Sequence, residues 1–368
     1  MLIITKMKYV LFDIIGQKSG CKYYDVAFYK QLLSYGYESE IHSNFSIDEK
    51  NPKILNIFKG NKLQKLFRFS VLIPTFIRDL LKNRNNGFIY MTYGEVVDAI
   101  LILLLLLFHP KPILDVHEFI SLDKDGNNFY SKLFSKLYKK IYAVIYHSER
   151  SEKYLKAIDY QGKSLFVPHF KYEFDKSYDI NKMDRNVINA INSEKINILF
   201  FGHMRKSKGV ELVFDSIKET DNTTLSKFHF IFAGDDSQSI VKHHISNIYN
   251  KVSCSTILRF IKDEELNFLF DKVNLVLLPY EEVSQSGILE TAVYFRKTMI
   301  LTDIAYFKSF YNHYSSFSYI VEKGNSKMLA NLYKEIGENG YKDYSQSDLE
   351  EFYETDKFNS FFLQLKSL

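Results

Sequence analysis

Ile196-Asn197-Ile198-Leu199-Phe200-Phe201 runs directly into Gly202-His203-Met204-Arg205-Lys206-Ser207-Lys208-Gly209, and then into Val210-Glu211-Leu212-Val213-Phe214-Asp215-Ser216-Ile217. The first six residues form a strand-length apolar run. The next eight make a polar turn bounded by glycines, and the last eight carry the helical spacing of apolar side chains. The stretch therefore reads as a strand, a turn and a helix, with Arg205 and Lys208 held at the strand's carboxyl end. In open α/β sheets ligands bind outside those carboxyl ends.

Similar runs recur in both directions. Before this stretch come Tyr9 to Ile14, Phe88 to Met91, Ile113 to Val116, Ala143 to Tyr146 and Leu165 to Val167; after it come Phe228 to Ala233, Ile257 to Phe260, Leu275 to Leu278 and Met299 to Leu301. Helical patterns separate most of them, and short buried strands alternating with helices predict parallel sheets covered on both faces. The chain has 368 residues, 46% of them apolar, which exceeds what one hydrophobic core usually serves. The charged, Asp- and Asn-rich stretch from Lys171 to Lys195 lacks a strand-like run and is the predicted linker. The expected fold class is α/β: two doubly wound Rossmann-like domains facing across a cleft. Residues 1–180 are expected to form the N-terminal domain and 181–348 the C-terminal one. Residues 349–368 are expected to form a helix packing back on the N-terminal domain, since Phe352, Phe358, Phe361, Phe362 and Leu365 give it an apolar face.

Composition excludes several classes. Charged residues at 25% and only 6 prolines argue against disorder, and a net charge of +4 without a nucleic-acid motif gives no reason to invoke RNA or DNA. Cys21 and Cys254 stand alone, with no partner at metal-ligand spacing, which fits a reducing cytoplasm. The start of the chain reads as a strand entering a glycine loop rather than as a secretory leader. The apolar run Ala99 to Phe108 is about half of the ~20 residues a membrane-crossing helix needs, so it reads as a helix buried under a sheet.

A second chemical signal follows the strand Leu275 to Leu278, in Pro279-Tyr280-Glu281-Glu282-Val283-Ser284-Gln285-Ser286-Gly287-Ile288-Leu289-Glu290. Ser286 and Gly287 fall where a helix should begin, and the free N–H groups of its first turn favour an anion such as phosphate. Glu290, one turn in, can accept from a diol such as ribose, while Glu282 reaches hydroxyls nearer a reacting sugar. A leaving diphosphate needs fixed positive charge, which Arg205 and Lys208 can supply without a metal.

Gly202-x-x-Arg205-x-x-Lys208-Gly209 together with Glu282-x7-Glu290 resembles the C-terminal half of family 4 glycosyltransferases with the GT-B fold. Phe232-Ala233-Gly234, Phe260-Ile261-Lys262-Asp263 and Asp303 are similar to that family too, and the likeness covers Ile196 to Phe307 well and the N-terminal half loosely. The resemblance implies a retaining, metal-independent transfer from a nucleotide sugar. It puts Arg205 and Lys208 on the diphosphate, Glu290 on the ribose, Glu282 near the donor sugar and the backbone around Ile261 on the base. It also implies contacts from the loop Gly16 to Gly20, and a sugar-proximal histidine at His117, after the strand Ile113 to Val116. His203 stands where the family usually has arginine, and Ser284-Gln285-Ser286 and Ala305-Tyr306-Phe307 replace glycine-richer loops.

Competing chemistries find less support. Asp123-Lys124-Asp125 has the acid-x-acid form of a metal site, but the following Gly126-Asn127-Asn128 reads as a turn. No G-x-G-x-x-G or G-x-x-x-x-G-K-[ST] fingerprint occurs. From Lys59 to Arg84, Lys59, Lys62, Lys65, Arg68, Arg78, Lys82 and Arg84 alternate with Leu63, Leu66, Phe67, Phe69, Leu72 and Phe76, a pattern suited to an anionic membrane surface. The expected function is transfer of a sugar to a saccharide or lipid-linked saccharide in surface polysaccharide biosynthesis. The expected location is the cytoplasm, at the inner face of the plasma membrane. A non-catalytic nucleotide-sugar-binding partner of another transferase and a GT-B sugar-nucleotide epimerase are the alternatives.

Overall fold

The computed structural model describes residues 7–16, 21–49, 51–119, 129–283, 285–344, 348 and 356–368. The chain divides into two units, residues 1–172 with 355–368, and residues 173–354. Each is built on one six-stranded sheet whose neighbours are all parallel.

In the first unit the strands are β1 (Lys8–Asp13), β2 (Glu38–Ser43), β3 (Gly87–Thr92), β4 (Ile113–Val116), β5 (Ala143–Tyr146) and β6 (Lys163–Phe166), in the order β2-β1-β3-β4-β5-β6. Val10, Phe12, Phe88 and Tyr90 pack with Phe76, from the helix Lys62–Lys82, and with Leu101, Ile102 and Leu105, from the helix Val96–Phe108. The run Ala99 to Phe108 is thus a helix half-covered by its own domain, with Ile100, Leu103 and Leu107 left outward. Among the described residues no helix is long and apolar enough to cross a membrane. The last helix, Asp356–Lys366, buries Phe358, Phe361, Phe362 and Leu365 on this unit. The Tyr9 hydroxyl donates to the Leu365 carbonyl at 2.9 Å, and Tyr35 stacks on Phe362 at 3.9 Å between ring centres.

In the second unit the strands are β7 (Ile196–Phe201), β8 (Phe228–Ala233), β9 (Ser253–Ile257), β10 (Leu275–Leu278), β11 (Thr298–Thr302) and β12 (Ser318–Val321), in the order β12-β11-β10-β7-β8-β9. The order reverses between β7 and β10 here, and between β1 and β3 in the first unit. Helices that follow the strands on either side of such a point leave in opposite directions and open a crevice at the carboxyl ends.

Three strands differ from the sequence reading. β2 and β12 were not expected, and β9 ends at Ile257, where the pattern had placed a strand's start. All three lie at sheet edges. An edge strand is covered less completely, so Glu-Ser-Glu-Ile-His-Ser and Ser-Cys-Ser-Thr-Ile fold as strands without a continuous apolar run. Phe260 is correspondingly exposed, outside the sheet.

Candidate functional site

In the second unit β7 and β10 are hydrogen-bonded neighbours, Leu275 beside Ile198 and Val276 beside Leu199, so the loops that leave their carboxyl ends emerge together. Backbone contact locks them. Gly209 sits at φ +67°, and a Cβ there would come within 1.8 Å of the Pro279 carbonyl oxygen. Two residues before it, the Ser207 carbonyl accepts from the Glu281 N–H at 3.0 Å. Gly202, at φ +108°, donates its N–H to the Ala233 carbonyl at 2.9 Å, and a Cβ on Gly234 would lie 1.9 Å from the Gly202 oxygen. The carboxyl ends of β8, β7 and β10 are therefore close-packed backbone, which only glycines permit at these points.

The two cations sit differently on this scaffold. Lys206–Lys208 is a single tight turn, and Lys208 Nζ lies 3.7 Å from the centre of the Tyr280 ring, a contact worth about 0.5–2 kcal/mol. Tyr280 is itself buried, its carbonyl accepting from Thr302 Oγ1 at 2.5 Å. Arg205 is exposed, while its neighbour Met204 is buried and tied to the next loop by an N–H donated to the Asp235 carbonyl at 2.8 Å. His203 Nδ1 stands 3.2 Å from Asp235 Oδ2. Partial burial nudges the Asp235 carboxyl upward, but Ser237, His203 and the charge of Arg205 outweigh it and hold the group below its ordinary value.

The helix after β10 spans Gly287–Tyr294, with Ser286 as its cap, the hydroxyl accepting from the Leu289 N–H at 3.3 Å. Its first turn offers N–H groups beside Gly202, whose missing side chain faces Ile288. Glu290, in the first turn, is buried, whereas Glu282 is exposed on the preceding loop. Burial, and then the Glu290 charge, raise the half-buried Tyr306 hydroxyl. Ile261 is buried just before the helix Asp263–Lys272, in a loop stiffened by Arg259, which reaches both Glu265 oxygens at 2.7 and 2.8 Å and Asp184 at 2.8 Å. Gly202, Arg205, Lys208, Ser286, Gly287 and Glu290 are thus drawn to the β7/β10 reversal, and Ile261 follows β9.

In the first unit Asp13 ends β1 and accepts from the N–H groups of Ile15 at 2.7 Å and Gly16 at 2.6 Å, which holds Gly16 in a left-handed turn at φ +42°. Gly20 and the Asp123-Lys124-Asp125 turn lie outside the described residues, as does Ser284. His117 follows β4, and its N–H donates to the Thr92 carbonyl at 3.0 Å. Its ring is 7% exposed, stacked on Tyr93 at 4.6 Å and met edge-on by Tyr24 at 4.4 Å. Burial pushes it down to about 3, against the pull of Asp115, so the imidazole is neutral.

Beside it lies a group that sequence reasoning passed over. Asp115, fully buried, has Oδ1 2.6 Å from His147 Nε2 and 3.7 Å from His117 Nε2, and its Oδ2 accepts from the Tyr24 hydroxyl at 2.8 Å. His147 Nδ1 stands 2.9 Å from the Val167 carbonyl oxygen. Burial acts to raise Asp115, but the neighbouring His147 and His117 and the Tyr24 hydroxyl outweigh it and hold the carboxyl below its ordinary value. One signal was available: successive parallel strands each end in a histidine, His117 right after Val116 and His147 right after Tyr146, with Asp115 inside β4. Asp235, the partner of His203, carries no local motif and was missed as well, and Tyr280, the partner of Lys208, lies in the stretch quoted after β10 but was given no role.

Two parallel six-stranded sheets of this order, with glycine loops at the carboxyl ends of the second, define the GT-B fold. Sucrose-phosphate synthase from Thermosynechococcus elongatus matches over 98% of this chain and 98% of its own, at 12% identity and a TM-score of 0.65. HepE of Anabaena, solved with UDP-glucose, matches over 98% of this chain and 100% of its own, at 14% identity and 0.64. WaaG, a glycosyltransferase involved in lipopolysaccharide biosynthesis, matches over 97% and 98%, at 10% identity and 0.61. At these identities the likeness is one of fold. No protein-family model matches the sequence, and no curated protein matches it.

Proposed function

We propose that the chain is a retaining glycosyltransferase that takes a sugar from a nucleoside-diphosphate donor and passes it to a saccharide or lipid-linked saccharide acceptor in surface polysaccharide biosynthesis. The observation that supports the reading is the placement of Arg205, Lys208, the start of the helix Gly287–Tyr294 and the buried Glu290 on the two loops that leave the neighbouring strands β7 and β10. The UDP-glucose bound by HepE, a protein of the same fold, makes a UDP-sugar the first donor to try.

In this reading the diphosphate lies over Gly202, where the backbone is open, against the N–H groups of Gly287 and Ile288. Arg205 and Lys208 face its oxygens. Glu290 accepts from the ribose hydroxyls, the backbone at Ile261 meets the base, and Glu282 meets hydroxyls of the sugar. The bond between the anomeric carbon and the phosphate oxygen breaks, and its electron pair leaves with the diphosphate. The acceptor hydroxyl forms the new bond from the same face and gives up its proton. Stabilising the departing charge is the main task, and removing one fixed group of this kind typically costs about 10²–10³ in rate.

Contact with an anionic membrane belongs to the same reading. Lys62, Leu63, Gln64, Lys65, Leu66 and Phe67 are all exposed at the start of the helix Lys62–Lys82, Leu63 at 78% and Phe67 at 68%. Apolar side chains left in water beside lysines suit the headgroup boundary, each cation adding about 1 kcal/mol at an anionic surface.

The reading is tested by thermal shift of the purified chain with UDP, GDP, ADP and CMP, repeated in EDTA, since a ligand at 100 times its Kd stabilises by about 2.7 kcal/mol. A shift with one nucleoside diphosphate that persists in EDTA and is lost in Glu290→Gln is expected. No shift with any nucleotide would overturn the transferase reading in favour of a non-catalytic partner.

A further inference from the structure

We propose that Asp115, His117 and His147 form a binding site for a divalent ion of the zinc class, with Asp115 Oδ1 and the two Nε2 atoms as ligands. Hydrogen bookkeeping leads there. The Val167 carbonyl only accepts, so His147 Nδ1, 2.9 Å away, carries the ring's hydrogen. A neutral imidazole then presents a bare lone pair at Nε2, which lies 2.6 Å from a carboxylate oxygen. Two lone pairs at that separation require a cation: an extra proton, or a metal ion.

Three observations favour the metal. The same oxygen has a second imidazole nitrogen, His117 Nε2, at 3.7 Å, and all three ligand atoms lie within 4.8 Å of one another. Four-coordinate zinc, with bonds of about 2.0–2.1 Å, holds its ligands about 3.3 Å apart, and the separations of 2.6 and 3.7 Å straddle that value. Next, the outer partners are those a metal site uses. A ligating histidine donates its other N–H to a carbonyl, as His147 does to Val167, and a ligating carboxylate is hydrogen-bonded through its other oxygen, as Asp115 is by Tyr24. Last, the ligands stand on rigid elements: Asp115 pairs with Ile145 across β4 and β5, and His117 and His147 directly follow those two strands. Two imidazoles and one carboxylate suit zinc or ferrous iron, and three protein ligands leave a fourth position for water or an oxygen of a bound molecule.

The inference does not rest on the nucleotide-sugar reading.

The test is titration of the full chain, freed of metal by chelator and then of chelator, with Zn²⁺ by calorimetry and with Co²⁺ by visible absorption. One bound equivalent is expected, with Co²⁺ developing the absorption of a low-symmetry, four-coordinate site. Tyr24→Phe keeps the ring and removes only the outer hydrogen bond, and should weaken Zn²⁺ by about 10-fold or more. His147→Gln should abolish uptake. If the wild-type chain takes up neither ion, or if Tyr24→Phe and His147→Gln bind as the wild type does, the site is overturned and a proton occupies the gap between Asp115 and His147. UDP binding by the metal-free chain, measured alongside, separates failure of this site from failure of the donor reading.

Discussion

Replacing Gly209 by alanine tests whether the two loops at the β7/β10 reversal are locked as described. Two costs are involved. Alanine at φ +67° pays the left-handed penalty of about 1–2 kcal/mol, and its Cβ would meet the Pro279 carbonyl oxygen at 1.8 Å. Backbone cannot swing aside as a side chain can, so the loops must part, which adds an overpacking cost of about 1–3 kcal/mol. Losing the 3.0 Å bond from the Glu281 N–H to the Ser207 carbonyl adds about 1 kcal/mol. The sum is about 3–6 kcal/mol. Gly324 supplies the control within the same unit: its φ is +76°, and a Cβ there meets nothing within 4 Å, so Gly324→Ala pays only the first cost. At about 2–4 °C per kcal/mol for a unit of this size, the control should lower Tm by a few degrees and Gly209→Ala by roughly three times as much. Asparagine, which tolerates the left-handed region, should recover most of the loss at position 324 and little of it at 209. Calorimetric melting of the four variants with nucleotide titrations makes the comparison. If Gly209→Ala costs no more than Gly324→Ala, or if asparagine rescues both equally, the loops are not in backbone contact and the site built on them fails.

The other expectations are simpler. Glu290→Gln removes a charged acceptor worth about 1.5–3 kcal/mol, so UDP affinity should fall roughly 10- to 150-fold by calorimetry. Lys208→Ala and Arg205→Ala should each lower turnover by about 10²–10³ in a sugar-transfer assay, with only Lys208→Ala also losing stability, because it alone gives up a ring contact. Asp98 is buried under hydrogen bonds from Tyr90 at 2.5 Å and Thr92 at 2.7 Å, and burial raises its carboxyl to about 6. The native state therefore holds a proton there that the unfolded chain has lost. Stability from this group is full below about pH 4 and declines as pH rises to about 6, by an order of 3 kcal/mol in all. In Asp98→Asn, urea melts across that window should lose this slope. Leu66→Asp with Phe67→Asp should abolish sedimentation with anionic vesicles without affecting UDP binding, whereas wild-type sedimentation with neutral vesicles should already be weak.

What could be read in advance, and what could not, divides along physical lines. Central strands are buried on both faces, so β1, β3, β4, β5, β7, β8 and β10 show as apolar runs within a residue or two of their ends. The edges β2 and β9 are only partly covered, and their composition is that of loops, while β12 is mostly buried but only four residues long. Among the candidate residues, glycines at a strand's end and the start of the helix Gly287–Tyr294 are set by local backbone, and local backbone is what a motif encodes. The partners that fix a side chain are set by the tertiary fold instead. Tyr280 under Lys208, Asp235 beside His203, and His147 across from Asp115 come from elements 30 or more residues away in the sequence, and nothing in the local pattern announces them.

That division bears on the cluster at the end of β4 and β5. His117 was legible as a strand-end histidine, and the family resemblance together with that position gave it a role near the sugar. Its surroundings change the chemistry it can do. A neutral ring stacked on Tyr93, beside a carboxylate whose nearest neighbour is another imidazole, is poorly suited to moving protons at neutral pH, since burial holds it at about 3. It is well suited to donating a lone pair. The two proposals thus ask different things of the two groups: Arg205 and Lys208 at one strand reversal would balance the charge of an anionic donor, and the buried cluster at the ends of β4 and β5 would have its own charge balanced by a cation.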